Sequence, residues 1–341
     1  MGGDREEGRK EKKDRQIRIC FWNIAGVTNK DEDTWRYLEG FDIVGLVETW
    51  MEEGRWKRVE DKLSKKFTWK CVPADREEKR GRARGGIVIA IKKRIDGVKV
   101  REISKRTVEI ELTRTKERWR IFVIYSQKIE ETLEELKREI KEEKEGHLMI
   151  GGDFNARTGN EGGPIYGMEK ERETRKSKDR IINREGRRLI EAMRERGWMI
   201  MNGKGEEEGG WTYIGERGTS VIDYVVTNEK AAQELKTVKE GIRTESDHIP
   251  LEVVIEGEER EGRAKEEEIE IERSVWTEEG IEEYHKRCEG WRCDKTETGE
   301  IWKELEEKVR EARKRVKKKI KPWGMGRKEW HSKEWKKKKG R

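Results

Sequence analysis

Short runs of apolar residues, separated by glycines and polar stretches, recur along the first three quarters of the chain. They are four to seven residues long and rich in isoleucine and valine, a pattern typical of buried β-strands. The clearest runs are 17–22, 43–47, 87–91, 119–125, 147–150, 198–201, 221–226 and 251–255. Between them, 131–144 and 186–196 repeat apolar residues at helical spacing. Strands interspersed with helices predict an α/β domain over residues 16–257.

The two ends of the chain differ from this domain in composition. Residues 1–15 carry mixed charge and are predicted to be a disordered lead-in. Beyond residue 257 the strand pattern stops, and a charged helical pattern with scattered tryptophans predicts a helical connector and basic tail over 258–341. Residues 313–341 hold 15 Lys and Arg against two Asp and Glu. The basic isoelectric point, about 9.0, therefore describes this tail and not a DNA-binding face of the domain.

The composition excludes several classes of protein. The chain is 45% charged and 31% hydrophobic, and it has no run of 18 apolar residues, which excludes a membrane-spanning protein. Its first residues are too polar for a signal peptide. Its four cysteines then predict reduced thiols in a nuclear or cytoplasmic, non-secreted protein. Cys288 and Cys293 lie near His285, but a structural zinc site usually needs four ligands in paired spacing. The run Lys336–Lys339 could bind nucleic acid nonspecifically, direct nuclear localisation or be a solvated tail.

Polar side chains stand where several of the predicted strands begin or end. Singly, each has an ordinary explanation, because Asn and Asp are common turn formers and a Glu or His at a strand end is usually solvated. Together they form a pattern, since ligand-binding groups of α/β folds gather at strand ends. The residues concerned are Asn23, Glu48, Asp153, Asn155, Asp223, Asp247 and His248.

The residue types in this set favour one kind of chemistry. Carboxylates and amides are hard oxygen ligands suited to Mg²⁺, and the absence of cysteine or paired histidine disfavours zinc. Such a site suits metal-assisted hydrolysis of a phosphate ester. The ion would neutralise developing charge, an aspartate would orient or deprotonate water, and histidine and asparagine would stabilise the transition state.

Six motifs in a fixed order resemble those of the endonuclease/exonuclease/phosphatase superfamily. They are FWNIAG (21–26), LVETW (46–50), VIYS (123–126), GGDFNARTG (151–159), SVIDYV (220–225) and ESDHIPLEV (245–253). The linking segments KDRIINREGRRLIEAMRERGWMIMNG and WTYIGERGTSVIDYVVTN resemble the endonuclease domain of LINE-type (non-LTR) retrotransposon proteins. The resemblance covers residues 17–257. It implies a DNase I-like α/β sandwich, with two mixed β-sheets packed face to face and helices outside.

The resemblance also implies a role for each matching residue. Glu48 would be the principal ligand of Mg²⁺, or Mn²⁺, with Asn23 and Asp247 beside it. Asp153 would activate the attacking water, and Asn155 would stabilise the phosphorane-like state.

Four further residues complete the implied site. Tyr125 would contact the scissile phosphate, and Thr212 the DNA backbone. Asp223 would orient and polarise His248, because a neighbouring carboxylate raises the pKa of an imidazole and favours its charged form.

Two arginines outside these motifs are further candidates. Arg82 and Arg84 precede the Gly85-Gly86 turn and could contact DNA phosphates.

Three departures from the family pattern accompany these matches. Val47 stands where many members carry Gln, and Ser126-Gln127-Lys128 replaces a proline-containing loop. No polymerase-like segment follows the domain, so the chain is interpreted as a truncated element.

The expected function is that of a Mg²⁺-dependent DNA endonuclease that nicks a retrotransposon target site. DNA is the expected partner, and no membrane association is expected. Three alternatives stay open. The first is an abasic-site repair nuclease or another phosphoesterase of the superfamily. The second is a decayed, inactive copy that only binds nucleic acid. The third is a non-enzymatic interaction protein that uses its charged tail, 258–341.

Overall fold

The computed structural model describes residues 16–320, apart from 29, 77–80, 115–116, 142–145, 164–174, 205–207, 217, 243–245, 257–268, 275–277 and 313–314. The predicted lead-in, 1–15, and the run Lys336–Lys339 lie outside the described residues. The chain divides into two compact units, residues 1–261 and 262–341.

The first unit contains strands and helices in mixed order. Strands β1 to β14 span Ile17–Asn23, Ile43–Val47, Phe67–Val72, Ile87–Lys92, Lys99–Ser104, Thr107–Arg114, Glu117–Tyr125, His147–Asp153, Met199–Ile200, Tyr213–Gly215, Gly218–Ser220, Asp223–Thr227, Leu235–Glu240 and Leu251–Ile255. Helices α1 to α5 span Glu32–Leu38, Glu53–Glu60, Ile129–Glu139, Arg184–Arg196 and Glu229–Gln233. Each of the eight apolar runs singled out in the sequence contains or overlaps one of these strands.

Twelve of these strands form two six-stranded sheets. The first has the order β13-β14-β1-β2-β4-β3 and the second β5-β6-β7-β8-β12-β9, while β10 and β11 form a separate hairpin. Within the first sheet β1 and β2 are parallel, within the second β7 and β8 are parallel, and the other neighbours are antiparallel. Both sheets are therefore mixed, which confirms the predicted two-sheet α/β sandwich.

The two sheets pack against each other through apolar side chains, including Phe21 from the first and Val123 from the second. Two glycines allow a close approach at the centre. A Cβ atom at Gly45 would lie 2.6 Å from Val123 Cγ2, and one at Gly151 would lie 2.4 Å from Phe21 Cδ2. Because the sheets meet so closely here, the ends of β1 and β2 lie near those of β7 and β8.

Filling this close contact should destabilise the fold. We expect Gly45→Ala to lower the free energy of unfolding by about 1–3 kcal/mol, because an added methyl group in a packed core forces its neighbours to shift. Gly54→Ala is the matched control, since no atom would lie within 4 Å of a Cβ at Gly54 in α2. Urea denaturation followed by circular dichroism measures both, and equal midpoints would contradict a tight sheet-to-sheet contact at Gly45.

Helices α3 and α4 cover the outer face of the second sheet. Leu133 and Leu136 of α3 and Leu189 and Met193 of α4 join one buried cluster with Phe122. Both helices were predicted. Helix α4 begins where the Asn183 side chain accepts a hydrogen bond from the Gly186 amide and ends at left-handed Gly197, so its bounds follow from capping.

The second unit contains helices α6, Glu278–Cys288, and α7, Thr298–Ala312, as the charged helical pattern predicted. It also contains an antiparallel pair that was not predicted, β15, Ile269–Ser274, and β16, Arg315–Ile320. Isoleucine alternates with charged residues in 269–272, a weak strand pattern inside a highly charged stretch. Among the described residues, no helix is long and apolar enough to cross a membrane.

Candidate active site

The predicted site residues lie at one rim of the sandwich, where strands of both sheets end. Asn23 is the last residue of β1, and Glu48 follows the last residue of the parallel strand β2. In the second sheet, Tyr125 pairs with Asp153 across parallel strands, and Asp223 pairs with Asp153 across antiparallel strands. The strand register thus brings residues about 100 positions apart in sequence to the same rim.

Asp153 lies at the centre of this group and is 1% exposed. Its Oδ2 accepts a hydrogen bond from Asn23 Nδ2 at 2.9 Å, and its Oδ1 accepts one from the Asn155 amide at 2.9 Å. Burial and the charge of Asp223 raise the pKa of Asp153 well above its usual range. A carboxylate with a raised pKa is a stronger base than an exposed aspartate, and it is oriented by two donors.

Asp223 and His248 form a buried pair behind Asp153. The imidazole Nδ1 donates to Asp223 Oδ2 at 2.9 Å, and the His248 amide donates to Ser246 Oγ at 3.1 Å. Burial lowers the pKa of His248, but the charge and hydrogen bond of Asp223, with the charges of Asp153 and Asp247, outweigh it and raise the pKa to about 9. The imidazole is therefore charged at neutral pH.

The other ring nitrogen of His248 faces the centre of the site. Nε2 lies 3.3 Å from Asn23 Nδ2 and 3.9 Å from Asp153 Oδ2. The Tyr213 ring closes one side, with its edge against the imidazole at 5.0 Å between centroids. A charged N–H, an amide and a carboxylate thus converge on one point, an arrangement that suits an anion under attack by water.

Glu48 lies beside Asn23 and is 9% exposed. Its carboxylate accepts hydrogen bonds from the Tyr125 hydroxyl and from the Trp50 indole. Burial, this bond to Glu48 and the neighbouring charges raise the pKa of Tyr125, so the tyrosine stays protonated and acts as a donor. Two neutral donors leave other lone pairs of the Glu48 carboxylate available.

The residues present fit a hard divalent cation. Glu48 offers a carboxylate, and Asn23 Oδ1 accepts only a 3.2 Å bond from the Ala25 amide among the bonds of the described residues. Asp247, half-buried, precedes His248 and is the third predicted ligand. Oxygen donors of this kind favour Mg²⁺ or Mn²⁺ over softer metals.

Proximity alone selects a different trio. Among the described residues, Asp153, Asp223 and His248 are the group whose ligand atoms all lie within 4.8 Å of one another. Within this trio the Asp223 carboxylate already accepts a hydrogen bond from His248 Nδ1, so one of its ligand atoms is engaged. Cys288 and Cys293 are free thiols and belong to no such group in the described part of the chain.

Two other predicted residues have clear structural partners. Asn155 is exposed, has a left-handed backbone with φ 49°, and its Nδ2 donates to the Ser126 carbonyl at 2.8 Å. Thr212 is fully buried, and its hydroxyl accepts the amides of Ile222 and Asp223, each at 3.0 Å. Thr212 therefore fixes the start of β12, while its contact with DNA stays a prediction.

The two predicted arginines lie on the loop that faces Glu48. Both Arg82 and Arg84 are exposed, and the Arg82 guanidinium stacks 3.7 Å from the centre of the Trp50 ring. The Arg84 backbone pairs with Asp75. Arg82 thus stands next to the Glu48 side of the rim, while contacts of either arginine with phosphates stay predictions.

A residue that supports the site from behind, Asp179, was not predicted from the sequence. Asp179 is buried, accepts two 2.7 Å bonds from Arg157 and accepts the Val221 amide at 3.0 Å. Asp179 thereby connects the loop that follows Asn155 to the residues that directly precede Asp223. In the sequence, Asp179 is an acidic residue between two basic ones. This pattern is common in the chain and gives no reason to single the residue out.

One family model matches the chain. Residues 119–252 match the family described as endonuclease-reverse transcriptase. This segment contains Tyr125, Asp153, Asn155, Asp223 and His248, and ends before the last residues of β14. No curated protein matches the chain significantly.

Solved structures share the fold at low sequence identity. An AP endonuclease from Leishmania major is 15% identical with a TM-score of 0.54, over 71% of this chain and 88% of its own. The APE2 catalytic domain from Xenopus laevis is 13% identical with a TM-score of 0.51, over 71% and 92%. The endonuclease domain of TRAS1, a telomere-specific non-LTR retrotransposon, is 17% identical with a TM-score of 0.47, over 70% and 98%. The fold shared with the first two of these structures confirms the predicted DNase I-like sandwich, and the family match over residues 119–252 supports the resemblance that the motifs predicted.

Proposed function

We propose that this metal-dependent phosphoesterase of the endonuclease/exonuclease/phosphatase superfamily is an endonuclease that hydrolyses phosphodiester bonds of the DNA backbone. The observation that carries the proposal is the placement of Asp153. Its carboxylate lies between the Asn23 amide and the His248 imidazole, with Asp223 behind the imidazole. This is a base next to a buried cation, a pair suited to hydrolysis of a phosphodiester.

The chain's own residues then have distinct roles. Asp153 takes a proton from water, whose oxygen attacks phosphorus while the bond to the 3′ oxygen breaks; the 3′ oxygen takes up a proton from solvent and leaves as a hydroxyl. His248 donates from Nε2 to an oxygen of the phosphate, and Asp223 keeps the imidazole charged and oriented. Asn155 contributes a further donor at the phosphate through its second Nδ2 proton, while Tyr125, kept protonated, can donate to the phosphate only by exchanging its bond to Glu48. A divalent cation held by Glu48, with Asn23 and Asp247, would neutralise charge that develops on the phosphate.

Two features support DNA as the substrate. The matched family is described as endonuclease-reverse transcriptase, and the linking segments resemble retrotransposon endonucleases. Arg82 and Arg84 are exposed, and Arg82 stacks on Trp50 next to the Glu48 side of the rim, a position suited to contact with a phosphate backbone. The product would be a nick with a 3′-hydroxyl, which suits priming of reverse transcription at a target site.

Supercoiled plasmid provides the direct test. We expect the purified full chain to convert supercoiled plasmid into nicked circles with Mg²⁺ or Mn²⁺ and to be inactive with EDTA. Parallel assays on an abasic duplex and on an inositol phosphate compare the other substrates of the superfamily. Folded protein that cleaves the inositol phosphate but no DNA would overturn the proposal, as would nicking that persists in EDTA.

The pH dependence should report the Asp223–His248 pair. Since the pKa of His248 is raised to about 9, the charged imidazole is present below that pH, and nicking should fall as the pH rises through it. Asp223→Asn removes the charge that raises the pKa of His248. The pH at which the nicking rate falls should therefore move toward the ordinary histidine pKa, about 6.5. The pH profile of the nicking rate and an NMR titration of the histidines measure this shift.

His147 is an internal control for that titration. It lies at the start of β8, at the opposite end of the strand from Asp153, and burial lowers its pKa. Its titration should not change in Asp223→Asn. An unchanged His248 titration in this variant would contradict the role assigned to Asp223.

A further inference from the structure

Trp50 contacts the predicted metal ligand, although the proposed chemistry gives it no part. Its indole N–H donates to the carboxylate of Glu48. On the face of its ring, the Arg82 guanidinium lies 3.7 Å from the ring centre, in the range of a cation–π contact. The indole therefore has two partners: the Glu48 carboxylate at its N–H and the Arg82 guanidinium on its face.

The backbone around Trp50 is built for this contact. Glu48 and Trp50 have left-handed φ angles of 52° and 53°, which are uncommon for residues other than glycine. The Thr49 amide donates to the Gly86 carbonyl at 3.2 Å, and the Trp50 amide donates to the Gly85 carbonyl at 3.0 Å. These bonds stabilise a backbone conformation that would otherwise be unfavourable. In this conformation the side chains of Glu48 and Trp50, two positions apart in sequence, contact each other.

We propose that Trp50 is a positioning residue of the metal site. The indole bond fixes one side of the Glu48 carboxylate, and the Tyr125 hydroxyl fixes another, so the remaining lone pairs point in a defined direction. A ligand fixed in this way loses less freedom when an ion binds. Partners that orient a ligand in this manner typically change metal affinity by about 10–100-fold. This inference rests on the proposed function of the same rim.

The test is metal affinity, measured apart from activity. Trp50→Phe keeps an aromatic ring under Arg82 and removes only the N–H donor and part of the ring. We expect the dissociation constant for Mn²⁺, measured by electron paramagnetic resonance of the free ion, to rise about tenfold. The metal concentration for half-maximal plasmid nicking should rise equally, while the rate at saturating Mn²⁺ stays near that of the wild type.

Two further variants make the result specific. Trp69→Phe removes another indole donor, one that bonds the Ser64 carbonyl at 3.0 Å, and should leave Mn²⁺ affinity unchanged. Trp50→His restores a ring N–H and should recover part of the lost affinity. Thermal unfolding of each variant checks that the fold is kept.

Three outcomes would overturn the inference. Unchanged Mn²⁺ affinity in a folded Trp50→Phe would show that the indole bond does not orient Glu48. A lower rate at saturating Mn²⁺ with unchanged affinity would assign Trp50 to DNA instead. A wild type that neither binds Mn²⁺ nor nicks plasmid would reject the proposed function as well, and is distinguished from the other two by the wild-type measurements.

Discussion

Asp153→Asn should lower the rate of plasmid nicking by about 10²–10⁴-fold, the range typical of losing a positioned general base. The amide keeps the size of the carboxylate, and its oxygen can still accept the bond that Asn23 Nδ2 donates at 2.9 Å in the wild type, while its NH2 cannot accept the Asn155 amide. It cannot take a proton from water. The loss should therefore be in the rate at saturating DNA and metal, and DNA binding by the variant should stay close to that of the wild type.

The same substitution should not weaken the fold at alkaline pH. The pKa of Asp153 is raised in the folded protein, so folding is opposed wherever the carboxyl group is ionised in the unfolded chain. This penalty grows as the pH rises from the unfolded pKa, about 4, through the higher folded one. Asparagine removes it, and the melting temperature of the variant near pH 8 should equal or exceed that of the wild type.

Asp96→Asn is the matched control for this prediction. Asp96 is exposed in the turn after β4, at the end of the first sheet opposite Glu48. Nicking and melting temperature should both be unchanged. Activity of Asp153→Asn within threefold of the wild type would remove Asp153 from the proton transfer and require another base.

Glu48→Gln should abolish measurable binding of Mn²⁺ and lower plasmid nicking by about 10²–10³-fold. The charge of a carboxylate ligand is lost, and metal ions contribute several kcal/mol to stabilising such transition states, where about 1.4 kcal/mol is a factor of ten. The amide oxygen can keep one of the two bonds from the Trp50 indole and the Tyr125 hydroxyl, and the amide NH2 cannot accept the other. Thermal unfolding of the variant separates this local change from the loss of the ligand's charge.

Calorimetric titration with Mn²⁺ measures this loss directly. Glu102→Gln is the control, because Glu102 is exposed on the edge strand β5. It should bind Mn²⁺ as the wild type does. Full Mn²⁺ affinity in Glu48→Gln would place the metal elsewhere, with the trio Asp153, Asp223 and His248 as the next position to vary.

Most inner strands of the two sheets could be predicted, and three of the four edge strands could not; the exceptions are the edge strand β9, which lies in the run 198–201, and the inner strand β6, which lies in no predicted run. Strands β2 and β14 begin and end where the apolar runs do, because every residue in them is buried. Strand β5, by contrast, reads KVREIS, with no buried residue, and β13 reads LKTVKE. Strands of this kind are specified by pairing with a neighbour, and their own sequence carries little hydrophobic pattern.

The site could be predicted as a set of positions but not as a set of contacts. Strand ends at one rim place Asn23, Asp153 and Asp223 together, and motif order identifies them. The partners of these residues depend on loop conformations that residue types do not specify. Trp50 reaches Glu48 only through two left-handed residues, and buried Thr212 orients Asp223 from a segment predicted to face DNA.

Three hydrogen bonds of the rim each join one sheet to the other. Asn23 of the first sheet bonds Asp153 of the second, Glu48 accepts from Tyr125, and His248, just before β14, bonds Asp223. The groups assigned to chemistry thus also form a polar seam that closes this end of the sandwich. Weakening any one of them should let the rim open more often, with faster amide exchange at the ends of β1 and β8. A bound phosphodiester, held by groups from both sides of the seam, should slow that opening.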